Sequence, residues 1–401
     1  MKGSVSVDAI KAARAILAQH VPITPLTKAH GLSEQFCRTI LCKWDNKLRT
    51  GSFKERGALY FLLGLSDEER QCGVCAASAG NHALAVSFHA QRLGIPCFLF
   101  MPEAAPLVKV ERCRRFGAEI KQIGTLHECL QHAETLSKEK GYTFIPPFND
   151  ERIVTGQGVA GLEVLDQSSD FDSVIIPVGG GGYAAGVATA IKSARPDVYI
   201  MGVCSEWAVS MRQHEPQSYE GRIAPVSLAD GIAVKTIGSV TAPILDAHVN
   251  ELVSVSEETI ARAIVTVLEH EHVVLEGAGA AGIAALLQGV LPERFKKTVV
   301  FCCGSNIDSN VLSRLIEHDM AERGRLLRLR VSLPDKPGML HTLTGIISSE
   351  GANVLEVVHN RTYAKIPGYV EITVVMEVRG CPHADAVVGR LEAYGVSVET
   401  F

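Results

Sequence analysis

The apolar positions follow two different rhythms along the chain. Up to about residue 320, short β-rich runs alternate with runs at helical spacing. Segments 40–44, 73–77, 97–101, 174–178, 198–203 and 298–302 read as strands. Helical runs follow at 53–63, 81–92, 107–116, 183–193 and 257–270, and residues 1–20 form a helix with Ile10, Ala13, Ile16 and Leu17 on one face. This alternation predicts an α/β fold of parallel sheets covered by helices. Ligands in such sheets sit where strand ends feed helix starts.

The rhythm changes at the charged stretch 317–325. Leu327, Leu329, Val331 and Leu333 then alternate with polar residues, as in a half-buried strand. Pro334 to Gly338 reads as a turn, and Met339, Leu340, Leu343, Ile346 and Ile347 fall at helical spacing. Strands at 353–358 and 369–378, a helix carrying Val387, Val388 and Leu391, and a closing strand at 397–401 complete a βαββαβ order.

Composition narrows the field. With 401 residues, two or three domains are expected, and 47% hydrophobic residues suffice for a large core. The net charge of −5 and pI near 6.3 give no reason to expect nucleic acid as a partner. The basic run from Lys109 to Arg115 reads as a solvated helix face. No apolar run reaches the ~18 residues of a membrane span, and the start lacks the apolar middle and cleavage site of a signal peptide. Eleven scattered cysteines are not a disulfide framework, so a reducing cytoplasm is expected. Cys72 and Cys75 form a lone C-x-x-C with no second pair at metal spacing, and a buried strand explains them better.

Three strand-to-helix junctions carry candidate chemistry. Gly179, Gly180, Gly181 and Gly182 follow the apolar run 174–178. Residues without side chains let backbone N–H groups approach an anion, and the next helix adds its positive end. Phosphate binding, a dinucleotide site with Glu206 as its acidic residue, and a close helix-to-sheet contact all remain open on the glycines alone. Lys54, beside Phe53 at a helix start, could be desolvated enough to act as a neutral amine, although most single lysines are surface residues. In Ser78-Ala79-Gly80-Asn81-His82-Ala83, Ser78 could be a helix N-cap. Alternatively Ser78, Asn81 and the free N–H groups of the first turn could grip a carboxylate.

These segments together resemble the threonine/serine dehydratase (threonine ammonia-lyase) family of pyridoxal-phosphate enzymes, of fold type II. The resemblance covers essentially the whole chain. It runs through Thr50-Gly51-Ser52-Phe53-Lys54, Ser78 to Ala83, Ala105-Pro106 with Lys109, Gly156-Gln157-Gly158 and the four glycines. It continues through Asp230-Gly231-Ile232-Ala233, Glu276-Gly277-Ala278-Gly279 and Gly304-Ser305-Asn306. Asp335-Lys336-Pro337-Gly338-Met339-Leu340 resembles an ACT domain, an amino-acid-sensing module. The expected architecture is a two-lobed pyridoxal-phosphate catalytic domain over 1–322, with a smaller lobe at about 53–147, and an ACT domain over 326–401.

The resemblance implies roles residue by residue. Lys54 would hold pyridoxal 5'-phosphate as a Schiff base and remove the substrate's α-proton, Phe53 would pack on the cofactor ring, and Asn81 would bond the ring hydroxyl. Gly179, Gly180, Gly181 and Gly182 would bind the phosphate, and Glu276 would lie near the ring's edge. Ser78, Ala79 and the N–H groups around Asn81 and His82 would hold the substrate carboxylate. Cys303 stands where the family usually has serine facing the pyridine nitrogen; a neutral thiol is expected, since burial raises a thiol's pKa. Ala79 replaces the second serine of related racemases, which favours elimination over racemisation, and Leu84 replaces a glutamine of many relatives. No metal is assigned, because the acid expected after the strand at 198–203 is displaced to Glu206.

The expected activity is conversion of L-threonine to 2-oxobutanoate and ammonia, with L-serine to pyruvate as the secondary reaction. Alternatives are the same chemistry on another 3-hydroxy amino acid such as 3-hydroxyaspartate, a β-replacement synthase, a catalytically silent amino-acid sensor, or a nicotinamide dehydrogenase. The ACT resemblance implies an amino-acid or nucleotide effector near 335–339 and 351–354, with a purely structural role in oligomer contacts as the alternative, and a homo-oligomer is expected. A biosynthetic role leading to isoleucine and a catabolic role both fit the sequence.

Overall fold

A computed structural model describes residues 5–207, 227–234, 236–361 and 366–400. Residues 1–4 of the N-terminal helix and Phe401 of the closing strand lie outside the described residues. By packing, the chain divides into Met1–Ile307 and Asp308–Phe401, which groups the helix Ser309–Glu322 with the second unit.

The first unit contains two sheets. Its strands are β1 (Leu26–Lys28), β2 (Thr39–Lys43), β3 (Val74–Ala77), β4 (Cys97–Met101), β5 (Glu119–Gln122), β6 (Thr143–Phe144), β7 (Ser173–Pro177), β8 (Tyr199–Ser205), β9 (Glu251–Val255) and β10 (Lys297–Phe301). The larger sheet has the order β1-β2-β10-β7-β8-β9 and is parallel except for β1. The smaller, β5-β4-β3-β6, is parallel throughout. Strands such as β7 are buried along their whole length, which is why they read as unbroken apolar runs. The helix Lys54–Leu63 joins the two lobes. Its Ala58, Phe61 and Leu62 enter the core of the smaller sheet, while Leu59 packs with Ile10, Ala13 and Leu17 of the N-terminal helix. Ile16, expected on that buried face, is 44% exposed.

The second unit is a single antiparallel sheet, β12-β13-β11-β14, formed by β11 (Leu326–Pro334), β12 (Asn353–Asn360), β13 (Tyr369–Glu377) and β14 (Ser397–Thr400). Leu329, Val331 and Leu333 alternate inward opposite Val370, Ile372 and Val374. Leu343 and Ile347 of the helix Met339–Ser349, and Val387 and Leu391 of the helix Cys381–Ala393, complete the same core. The βαββαβ order is the one the alternation predicts.

Among the described residues, no disulfide joins any of the cysteines. Cys75 is buried in β3, but Cys72 is exposed at the end of the helix Asp67–Cys72, so only one of the pair belongs to a strand.

Candidate active site

The helix that carries Lys54 begins without a side-chain cap, in a loop bound to the segment following β10. Phe53 N–H donates to the Cys303 carbonyl at 3.0 Å, and Ser305 N–H donates to the Gly51 carbonyl at 2.9 Å. Lys54 Nζ donates to the Pro147 carbonyl at 2.8 Å. The residue is half-buried by surface, yet protein surrounds its ammonium deeply enough for desolvation to lower its pKa to about 8. Glu276 opposes that shift without cancelling it.

Gly179, Gly180, Gly181 and Gly182 form the turn between β7 and the helix Gly182–Ala194, and all four are buried. Among the described residues, none of their four backbone N–H groups donates a hydrogen bond, although Val178 immediately before them does. Buried N–H groups without partners are costly and uncommon. A row of them at a helix N-terminus is an anion cradle. Packing also demands glycine here. A Cβ on Gly180 would stand 2.4 Å from the Phe148 ring, and Gly181 has φ +91°. The turn therefore serves both close packing and anion binding. Glu206, the acidic residue of the dinucleotide alternative, instead accepts the Glu257 N–H at a helix start. β8 continues to Ser205, so Glu206 follows the strand directly.

The third junction departs from expectation in its cap. The helix Asn81–Leu93 is capped by Gly80, and Ser78 Oγ accepts the Gly80 N–H at 3.2 Å rather than one inside the helix. Among the described residues, the backbone N–H groups of Asn81, His82 and Ala83 make no hydrogen bond, which leaves a second anion-binding helix start. The His82 ring does not face it. Its Nε2 donates to the Ile145 carbonyl at 2.9 Å, and burial, with Lys54 nearby, lowers its pKa to about 3. Ala79 is half-buried against the core of the smaller sheet.

Asn81 links the lobes. Its Nδ2 donates to Glu276 Oε1 at 2.5 Å, and its Oδ1 accepts from Asn306 Nδ2 at 2.7 Å. Glu276 is 4% exposed; burial, and then repulsion from Asp230, raise its carboxyl to about 7. Cys303, 2% exposed, donates to the Ala278 carbonyl at 3.6 Å. Burial first, then Glu276 and Asp45, push its thiol well above the ordinary range, which keeps it neutral.

Sequence reasoning missed several groups here. Arg112 Nη1 donates to Asn306 Oδ1 at 2.7 Å, and Lys109 pairs with Asp230 at 3.2 Å. The basic run 109–115 is therefore not simply a solvated face. The helix of Lys54 also carries Arg56 into a buried charge network: Arg56 bonds both Asp45 and Glu163, Lys43 Nζ bonds Glu163 at 2.6 Å, and the Tyr183 hydroxyl donates to Asp45 Oδ2 at 2.7 Å. A lysine inside a strand pattern and an arginine on an apolar helix face were its visible signals, because buried charges must be paired. Among the described residues, no cluster of three or more His, Cys, Asp or Glu side chains is arranged to hold a metal ion. A basic cavity of about 390 Å³ near the start of β2 and β10, lined by Lys28, Arg38, Lys296 and Lys297 among others, contains none of the candidate residues.

A desolvated lysine, a cradle of unpaired buried N–H groups and a neutral thiol in one two-lobed α/β unit fit a phosphorylated aldehyde cofactor. The family described as pyridoxal-phosphate dependent enzyme matches residues 17–304, and the ACT domain family matches 327–396. The chain belongs to the pyridoxal-phosphate-dependent enzymes of fold type II and carries a C-terminal ACT domain. It is 40% identical over 400 residues to an L-threonine ammonia-lyase of Thermotoga maritima, covering 98% of this chain and 99% of that one. Its fold matches a processed threonine deaminase isoform 2 of Solanum lycopersicum (TM-score 0.69, 33% identity, 79% of this chain and 90% of that one). It also matches a serine racemase of Dictyostelium discoideum (TM-score 0.69, 28% identity, 76% of this chain and 100% of that one).

Proposed function

We propose that the protein is a pyridoxal-phosphate-dependent ammonia-lyase that converts L-threonine to 2-oxobutanoate and ammonia, with L-serine as its second substrate. The observation that carries this reading is Lys54, an amine with its pKa lowered to about 8, in the same unit as four unpaired buried N–H groups. The near full-length likeness to an L-threonine ammonia-lyase supports the substrate.

Bound pyridoxal phosphate supplies an electron sink for the charge left when the α-proton departs. Gly179, Gly180, Gly181 and Gly182 would hold its phosphate through their N–H groups, and Phe53 would pack on its ring. Asn81 offers the ring hydroxyl the second N–H of its Nδ2, the first being given to Glu276. Cys303 would face the pyridine nitrogen as a neutral thiol, in keeping with its burial. The N–H groups of Asn81, His82 and Ala83, with Ser78, hold the substrate carboxylate at a helix start. Lys54 Nζ accepts the α-proton, and its lowered pKa makes the free amine available near neutral pH. Ala79 carries no hydroxyl that could return a proton to the α-carbon, so elimination would dominate over racemisation.

The ACT unit senses an amino acid or nucleotide at 335–339 and 351–354 and modulates the catalytic unit allosterically, within a cytoplasmic homo-oligomer. Threonine turnover through 2-oxobutanoate suits isoleucine biosynthesis. Replacing Lys54 with Ala tests the catalytic assignment. Turnover and the lysine-dependent cofactor absorbance should both disappear, and a variant retaining either would overturn it.

A further inference from the structure

Tyr183 touches three segments of the site at once. It lies in the first turn of the helix Gly182–Ala194, next to the glycine cradle, and is 4% exposed. Its ring centroid is 4.1 Å from that of Phe53, the residue before Lys54, at an interplanar angle of 35°. On another side it meets Phe301, at the end of the strand leading to Cys303, edge-on at 5.6 Å. Its hydroxyl donates to Asp45 Oδ2, which is in turn held by Arg56. Arg56 sits on the lysine helix, two residues from Lys54 and bound to Glu163, so the contact closes a ring from the glycine turn back to the lysine helix.

We propose that Tyr183 is the positioning residue that fixes the glycine cradle relative to Lys54, so that phosphate and aldehyde of one cofactor are engaged together. The ring supplies the contact with Phe53 and Phe301, and the hydroxyl, anchored on Asp45, fixes the ring's orientation. The inference rests on the cradle binding phosphate. A cradle and an amine held at the right separation act on one ligand as a chelate, and small misplacements forfeit that gain.

The test compares pyridoxal phosphate with pyridoxal, which has the aldehyde but no phosphate. Dissociation constants of both are measured by cofactor absorbance on the full-length protein, and melting of the cofactor-free protein is followed alongside. In Tyr183→Leu the advantage of the phosphorylated ligand should fall about tenfold or more, a loss of about 1.4 kcal/mol of coupling. Tyr183→Phe, which keeps the ring but loses its anchor on Asp45, should lose part of the advantage, less than Tyr183→Leu. A merely structural tyrosine would lower melting while leaving the ratio of the two constants unchanged, and that result overturns the proposal. Should Tyr183→Leu fail to fold, Phe53→Leu removes the same contact from the other side, with the same loss expected and an unchanged ratio contradicting it. A wild-type protein that binds both ligands equally removes the phosphate reading itself, a failure distinct from that of Tyr183.

Discussion

Lys54 is held between two opposing influences. Desolvation disfavours its charge, while Glu276 favours it, and the balance leaves its pKa at about 8 instead of 10.5. At pH 7 roughly one amine in ten is then neutral, against fewer than one in a thousand for an ordinary lysine. Capture of added cofactor by the cofactor-free protein should therefore accelerate with pH up to about 8 and level off above it. Stopped-flow absorbance measures this, and a rate still climbing steeply at pH 10 would contradict the lowered pKa. The same shift has a stability consequence. Between about 8 and 10.5 the unfolded chain holds a proton on this lysine that the folded chain has released, so this group's contribution to stability rises with pH across that window. Glu276 behaves oppositely. Its carboxyl, raised from 4.5 to about 7, makes the folded chain bind the extra proton, and its contribution falls as pH rises through that interval.

At the scale of elements, the strands and the exposed-faced helices were legible because burial on one side imposes a period. β4 and the helix Glu257–Glu271 fall within a residue of their expected limits. The helix Gly277–Leu287 was not legible as a helix, because every residue from Gly277 to Leu286 is buried and no polar face marks a period. The helix Glu151–Gln167 was hidden similarly, its residues from Ile153 to Val164 being buried. The glycine turn was legible as a junction, but its unpaired N–H groups are a property of three dimensions. So is the network of Asp45, Arg56, Glu163 and Lys43, drawn from three helical segments and a strand. Burial works to raise the Asp45 carboxyl, but Arg56 and Lys43 outweigh it and hold it below the usual range. Arg56→Met would leave two carboxylates buried without their shared cation, and a loss of about 3–5 kcal/mol in urea unfolding is expected. A loss below about 1 kcal/mol would show that the network is dispensable.

At the scale of the molecule, the first unit draws its site from both lobes. Asn81 and Arg112 come from the smaller one, and Glu276, Asn306 and the glycine turn from the larger. The ACT unit folds around a core of its own. Its turn at 335–339 includes Gly338 at φ +92° and Asp335, whose carboxylate accepts from Arg361 Nε at 3.2 Å. The activity of the first unit is read from 2-oxo acid release. Purified, cofactor-loaded protein is given L-threonine, L-serine and 3-hydroxyaspartate in parallel. 2-Oxobutanoate from threonine should dominate, with slower pyruvate from serine. Activity confined to 3-hydroxyaspartate would contradict the substrate, and no 2-oxo acid from any of the three, with cofactor bound, would contradict the lyase itself.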